Sequence, residues 1–325
     1  MGASALAIWS LPMGAALDAL LGDPRGWPHP VRAIGGLVAI VERVLRAGLA
    51  RIGTGPRAER IAGVVLAVVV VGTTCAIAWG AIAACDALGR VGSLLGRALL
   101  VYWGLAARSL GDEARLASEA PDLATARREL SMIVGRETCS LDRPQIERAC
   151  VETVAENCND AIVAALFWFA LAGPVGLWMY KAVSTLDSMV GYRDARYRYL
   201  GWASARLDDL TGLIPARLTW LLLSLSSAVL GERGGTALRM GWRDGRKHTS
   251  PNAAWGEAAM AGALGVQLGG SATYRGIVVS KPLLGDLGEP ICAATVRRAI
   301  RIMYVTAFLS VALAWAFRAA LLRAA

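Results

Sequence analysis

The chain has 325 residues, of which 55% are hydrophobic and 18% are charged, and its mean hydropathy is +0.47. It is too apolar for an ordinary soluble globule, and the composition indicates an integral membrane protein with several spans. The formal net charge of +9 is explained first by topology, because Lys and Arg accumulate on the cytoplasmic side of spans. The alternative is that some arginines contact an anionic substrate; nucleic acid is not an expected partner.

Six apolar segments are candidates for membrane helices, because each approaches the length of a bilayer crossing. They are residues 3–21, 61–84, 88–107, 161–180, 213–230 and 302–322. Segment 61–84 contains no charged residue, whereas 88–107 is interrupted by Arg90 and Arg97. The N-terminus lacks the basic region and cleavage site of a signal peptide, so we expect 3–21 to be a retained span.

The pair Gly173-Pro174 divides segment 161–180 into two halves, each too short to span. Proline removes a helix donor and disfavours helix in the residue before it. Irregular backbone at membrane depth is tolerated where it is buried in protein or lines a cavity. The segment is therefore either re-entrant or one kinked span, and the number of crossings stays open.

Residues 108–160 are predicted to form a soluble helical insertion in a single integral-membrane catalytic domain, 1–325. Pro121 and Asp122 open one helix that ends near Gly135, and residues 140–144 open a second. The second helix has an apolar stripe of Ile146, Cys150, Thr153 and Val154. No useful run of alternating residues indicates a strand. The predicted fold is an all-α polytopic membrane protein with about 4–6 membrane-embedded helices.

The second helix carries three carboxylates and an amide on successive turns: Glu152, Glu156, Asn157 and Asp160. In a regular helix Asn159 would join the carboxylates within an arc of about 100°. Oxygen-rich clusters of this kind suit Mg²⁺, and polar groups beside membrane-grade apolar sequence are functional candidates by default. The alternative is that Asp160 caps the next helix and the glutamates face solvent.

Three further polar motifs follow or precede the apolar segments. Asp187 lies in a polar turn where it could hold a second cation or orient a nucleophile, and three possible phosphate contacts follow it: Arg193, Arg196 and Arg198. The acids Asp208 and Asp209 stand beside Arg206, a weak Mg²⁺–phosphate signal. The last motif is a proline-stiffened loop that can fix His29 and Arg32.

Other cofactor chemistry is not indicated. The six cysteines form no CxxC pair and only two histidines are present, so a zinc, haem or iron–sulfur site is not expected. No P-loop, GxSxG, HExxH or GxGxxG motif occurs. The block 250–270 contains Asn252 and a small-residue segment, 259–270, predicted to be a closely packed helix.

Four blocks resemble the adenosylcobinamide-phosphate synthases, the CobD/CbiB-type membrane proteins of cobalamin biosynthesis. The blocks are residues 17–35, 152–168, 181–217 and 250–270, and the likeness extends in order from about residue 11 to residue 300. The sequence departs from the family pattern at Cys158, Asn159, Ser184 and Gly256.

The resemblance implies ATP- and Mg²⁺-dependent amide formation between adenosylcobyric acid and (R)-1-amino-2-propanol or its O-phosphate. For this reaction we assign catalytic roles to Glu152, Glu156, Asp187, Asp208 and Asp209, with Mg²⁺ held by Glu152, Glu156 and Asp160. We assign substrate or phosphate contacts to His29, Arg32, Asn157, Lys181, Tyr192, Arg193, Arg206, Arg217 and Asn252.

The same resemblance implies a multi-pass protein of the inner cell membrane with a cytoplasmic active site. Its partners would be the two substrates, the lipid bilayer and other membrane-bound late enzymes of the pathway, with a possible homo-oligomer. Two other classes stay open: a transporter for a small anionic solute, which would be expected to show internal repeats, and a non-enzymatic membrane sensor or scaffold.

Overall fold

The computed structural model describes residues 8–24, 26–274 and 276–324. Within these ranges the fold is predominantly helical, as predicted. The helices are α1 Ser10–Leu21, α2 Pro30–Ile52, α3 Pro56–Ala87, α4 Gly89–Gly104, α5 Ala107–Ser118, α6 Leu123–Ser131, α7 Arg143–Asn157, α8 Ala164–Val190, α9 Trp202–Val229, α10 Gly234–Asp244, α11 Ala253–Leu264 and α12 Ala293–Ala324. A π-helical turn, Cys158–Val163, lies between α7 and α8.

Four helical segments of the described chain are long and apolar enough to cross a membrane. They are Pro56–Ala87, Arg143–Val190, Trp202–Val229 and Ala293–Ala324. These segments contain four of the six predicted spans, so the prediction of an all-α polytopic membrane protein is confirmed. Residues 3–7 of the first predicted span lie outside the described residues, and α1 has 12 residues, fewer than a bilayer crossing needs.

The described residues divide into two compact units. The first comprises the chain up to Leu105, Ala165–Gly212 and the residues from Leu313; the second comprises Ala106–Ala164 and Leu213–Ala312. In the first unit α4 packs on α1 and α3, and α2 packs on α3. In the second, α5 packs on α6 and α7, while α11 packs on α7 and α10.

The predicted break in α8 is present. Ala172 has φ −125° and ψ 16°, and Gly173 has φ 64° and ψ −153°, a left-handed φ that favours glycine. The guanidinium of Arg318 donates from Nη1 to the carbonyl oxygen of Leu171 at 2.9 Å. This bond explains why α12 carries a charge near its end: it satisfies a backbone group beside the break.

The predicted helix starts in 108–160 are also present. Asp122 caps α6 by accepting from the backbone N–H of Thr125 at 2.8 Å. Asp142 and Gln145 form a reciprocal capping box at the start of α7, with proline in the first turn. The apolar stripe of α7 is buried, as its spacing predicts.

A two-stranded antiparallel hairpin was not predicted. Its strands are β1 Leu268–Tyr274 and β2 Ile277–Leu284, with Ala272 opposite Val279. The prediction of one helix over 259–270 is therefore wrong in its second half. The helix ends at Leu264 because Gly265 adopts the left-handed conformation that terminates helices.

Asp244, the last residue of α10, anchors the end of this hairpin. Its side chain is fully buried, accepts from the backbone N–H of Gly285 at 2.8 Å, and pairs with Arg243 and Lys247 at 2.7 Å each. Burial alone would raise the pKa of Asp244, but the hydrogen bonds from Arg243, Lys247 and Gly285 lower it to about 2. The carboxylate is therefore charged in the folded protein at neutral pH.

We expect Asp244→Asn to lower the thermal midpoint in detergent by roughly 5 °C or more, because a charged acceptor of three donors is lost. A lowered folded-state pKa contributes stability above the unfolded value of 3.8, and that contribution is lost as pH falls toward about 2. The difference between wild type and variant should therefore shrink below pH 4. Asp112→Asn, in an exposed pair with Arg108, is the matched control. Equal effects of the two substitutions would contradict the anchor role.

Candidate functional site

Glu152 of α7 is held in place by two polar contacts, one with Arg136 and one with Gly269. The residue is only 2% exposed, and Oε2 pairs with Nη2 of Arg136 at 2.5 Å. Its Oε1 accepts from the backbone N–H of Gly269, at the start of β1, at 2.8 Å. Burial would lower the pKa of Arg136, but Glu152 outweighs burial and raises it. Both oxygens of Glu152 are thus bonded within the protein, and the pair holds the hairpin beside α7.

Three titratable groups act on one another next to this pair. Glu257 of α11 is 5% exposed, and burial together with the charge of Glu156 raises its pKa to about 8. Burial would lower the pKa of Lys281, on β2, but Glu156 and Glu257 outweigh burial and raise it. Glu257 is therefore largely protonated at neutral pH, while Lys281 is charged. We call Arg136, Glu152, Glu156, Glu257 and Lys281 the glutamate–lysine cluster.

The π-helical turn changes the positions expected for the acids after Glu156. It begins at Cys158, directly after α7, so the regular register that would align Asp160 with Glu156 is wrong. The amide of Asn159 donates to Asp160 at 2.6 Å and accepts from Thr219 of α9 at 2.9 Å. Single π-helical turns inside α-helices are frequent at functional sites.

The described residues could bind a metal ion only together with ligands such as substrate phosphates and waters. Among the described residues no group of three His, Cys, Asp or Glu side chains is placed to hold a metal ion alone. Two carboxylates, Glu156 and Glu257, do act on each other's charge. Mg²⁺ is commonly held by one or two carboxylates together with substrate phosphates and waters, so these residues fit that ion only in company with a phosphorylated ligand.

A second group lies in the same unit. Arg217 of α9 donates from Nη1 to Oδ1 of Asn252 at 2.9 Å, and its guanidinium lies 4.7 Å from the ring centroid of Trp255. Arg246 lies 6.0 Å from the same ring and 4.9 Å from that of Trp242. We call Arg217, Arg246, Asn252 and Trp255 the arginine–tryptophan cluster.

The remaining predicted residue of this unit has a local role. Asn157 donates from Nδ2 to the carbonyl oxygen of Thr153 at 3.0 Å, so it bonds back onto its own helix. Asp160, Arg217 and Asn252 have been placed above. Of the predicted residues in this unit, the structure therefore brings Glu152 together with Glu156, and Arg217 together with Asn252.

The other predicted residues belong to the first unit. His29 caps α2, accepting at Nδ1 from the backbone N–H of Val31 at 3.2 Å, and its Nε2 lies 3.5 Å from Asp23. Arg32 is exposed on the first turn of α2. Arg206 pairs with Asp209 at 3.2 Å within α9. Asp208 lies between the two members of that pair on the same helix.

Asp187, predicted to lie in a polar turn, lies instead in the last turn of α8, and this helix end has a specific backbone requirement. Asp187 accepts at its carbonyl from the N–H of Gly191 at 2.8 Å, and a Cβ at Gly191 would stand 2.0 Å from the Asp187 carboxylate. The hydroxyl of Tyr192 donates to the Ser188 carbonyl at 2.8 Å, and Arg193 is exposed. Lys181, six residues before Asp187 in α8, is half-buried.

Sequence reasoning missed five members of the two clusters: Arg136, Trp255, Glu257, Lys281 and Arg246. Glu257 and Trp255 stand in the recognisable block 250–270, which was a usable signal. Arg136, Arg246 and Lys281 lie in segments without a motif, and only the fold brings them to the site.

The candidate spans and the two clusters of charged side chains define the chain as a polytopic all-α membrane protein with a polar site. A family model described as CobD/Cbib protein matches residues 11–303, and the chain belongs to this family. The cobalamin biosynthesis protein CobD of Klebsiella pneumoniae is 48% identical over 300 residues, 91% of this chain and 93% of that protein. CbiB of Salmonella typhimurium is 47% identical over 312 residues, 94% of this chain and 95% of that protein. No solved structure matches.

Proposed function

We propose that the chain acts in cobalamin biosynthesis as an adenosylcobinamide-phosphate synthase. It would join a propionate carboxylate of adenosylcobyric acid to (R)-1-amino-2-propanol or its O-phosphate, using ATP and Mg²⁺. The observation that supports this best is the glutamate–lysine cluster, which combines two interacting carboxylates, those of the buried Glu257 and the exposed Glu156, with a charged, half-buried lysine. The names of the relatives, cobalamin biosynthesis proteins CobD and CbiB, support the pathway.

The reaction needs an activated acid, because a carboxylate does not condense with an amine unaided at neutral pH. Transfer of the γ-phosphoryl group to the carboxylate oxygen gives an acyl phosphate and ADP. The amine nitrogen then attacks the acyl carbon, the carbon–oxygen bond to phosphate breaks, and a base takes the proton from nitrogen. This sequence requires cations beside the phosphates and a nearby proton acceptor.

The glutamate–lysine cluster contains groups of both kinds. Lys281 would hold a phosphate oxygen of ATP, and the carboxylate of Glu257, once deprotonated, would accept the amine proton. Glu156 would complete a Mg²⁺ site with the phosphates; the ion, when bound, would neutralise phosphate charge. Glu152 and Arg136 would keep β1, and through it Lys281, in place.

The predicted residues of the first unit keep proposed roles. Asp187 would hold a second cation or, like the pair Asp208-Asp209, act as an alternative base, and Lys181, Arg193 and Arg206 would contact phosphates or corrin side chains. In the second unit, Asp160 would be a further Mg²⁺ ligand. We also propose that the protein lies in the inner membrane with the site facing the cytoplasm, close to other late enzymes of the pathway.

The test is mass spectrometry of the product formed by purified protein in detergent. Protein given ATP, Mg²⁺, adenosylcobyric acid and each amine should yield the amide and one ADP per amide. Omission of adenosylcobyric acid should abolish ADP release. A transporter-type ATPase would still release ADP without this acid, so the control separates the two functions. Folded protein that forms no amide with either amine would contradict the proposal, and solute uptake into vesicles would then favour the transporter.

A further inference from the structure

We propose that the arginine–tryptophan cluster binds a phosphate group that carries no metal ion. The identity of the molecule that carries this phosphate rests on the proposed function, whereas the phosphate site itself does not. The argument begins with the two guanidiniums, which share one indole ring: Arg217 lies 4.7 Å and Arg246 6.0 Å from the centroid of Trp255. Stacking on an aromatic face leaves the N–H edges of a guanidinium available to a ligand.

The aromatic support is itself packed. The ring centroid of Trp220 lies 5.2 Å from that of Trp255 and 6.0 Å from that of Trp242. Trp255 is 2% exposed, and its indole N–H donates to the carbonyl of Pro251 at 3.0 Å. The two arginines therefore stand on a fixed surface, which reduces the ordering cost of binding.

The two arginine charges of this cluster differ from those of neighbouring arginines in their ion pairs. Within residues 8–24, 26–274 and 276–324, neither Arg217 nor Arg246 pairs with a carboxylate, and Arg246 adds to the positive charge felt by Arg217. Arg136, Arg243 and Arg298 of the same unit all have such partners. Two like charges held together in this way are stabilised by an anion.

The shape of the donor set favours phosphate. Arg217 uses Nη1 for Asn252 and for the carbonyl of Leu213, so its other nitrogens remain for a ligand. Arginine binds phosphate oxygens in a bidentate manner, and two arginines match a dianion. No carboxylate contributes to the cluster, so Mg²⁺ is not needed there, in contrast to the glutamate–lysine cluster.

The two clusters are built on shared elements. Thr219, two residues after Arg217 on α9, bonds Asn159 in the π-helical turn. Asn252 stands five residues before Glu257, a helical rise of about 7.5 Å. A phosphate held by the arginines would therefore place the rest of a small molecule within reach of Glu257.

The experiment is equilibrium binding to the full chain in detergent, without turnover. The probes are inorganic phosphate, (R)-1-amino-2-propanol O-phosphate, the unphosphorylated amine, and ATP without Mg²⁺. Arg246→Ala, Arg217→Gln and the double variant should raise Kd for a phosphorylated probe about tenfold or more and leave the unphosphorylated amine unchanged. Arg239→Ala, an exposed arginine on α10, is the control and should change nothing.

The outcomes separate the sources of the phosphate. A shift confined to the amine phosphate, or one confined to ATP, supports the site and identifies the carrier. Unchanged Kd for every phosphorylated probe in the folded double variant would overturn the proposal. Because Arg246 is exposed, Arg246→Ala should fold. If Arg217→Gln fails to fold, the Arg246 variant alone still tests the proposal. If binding shifts while no amide forms in wild type, the phosphate site stands and the proposed reaction fails.

Discussion

Glu257→Gln is expected to lower kcat for amide formation by about 10²–10⁴-fold while the protein remains folded. Glutamine keeps the size of the side chain and removes the group that accepts the amine proton. Glu257 is largely protonated in the unliganded protein, so the neutral amide replaces it without leaving a new buried charge. The measurement is the steady-state rate of amide formation at saturating substrates.

The comparison with Glu156→Gln separates two roles. If Glu156 completes the Mg²⁺ site, its loss should raise the Mg²⁺ concentration needed for half-maximal rate, whereas Glu257→Gln should lower the rate at every Mg²⁺ concentration. Glu289→Gln, an exposed carboxylate paired with Arg233, is the matched control. Near-normal turnover of both cluster variants would refute the assignment of catalysis to this cluster.

Arg136→Leu is expected to destabilise the second unit by about 3–5 kcal/mol, because it leaves the Glu152 carboxylate buried without its cation. The side chains of Glu152 and Arg136 are 3% and 13% exposed, so water cannot replace the lost partner fully. The thermal midpoint in detergent measures the effect, and accelerated proteolysis in β1 would show that the hairpin is released.

A double variant distinguishes a lost ion pair from lost packing. Adding Glu152→Gln to Arg136→Leu removes the unpaired charge and should recover a large part of the stability. Arg108→Leu disrupts an exposed pair with Asp112 and should cost less than about 1 kcal/mol. No recovery in the double variant would mean that packing of the arginine, rather than its charge, holds β1.

The local signals in the sequence predicted local structure well. Asp122 and Asp142 begin helices because their side chains satisfy the first backbone N–H groups, and that information lies within four residues. The break at Gly173 was predictable for the same reason, since a proline follows it directly. The four long apolar segments needed only length and composition.

Long-range assembly was not predictable from such signals. Lys281 reaches Glu257 only because the chain turns at Gly265 into a hairpin, and the glycine-rich start of β1 shows no alternating pattern. The π-helical turn at Cys158 shifts Asp160 from its expected register, and nothing in the local composition specifies it. The acids of α7 were identified correctly as a polar group, but their partners come from β1, β2 and α11.

The bond between Arg318 and the carbonyl of Leu171 has a consequence for the order of assembly. Its donor is synthesised 147 residues after its acceptor, so α8 is complete before this donor exists. Until then the carbonyl of Leu171 needs a hydrogen bond from another donor. Completion of the first unit must therefore wait for the last helix of the chain.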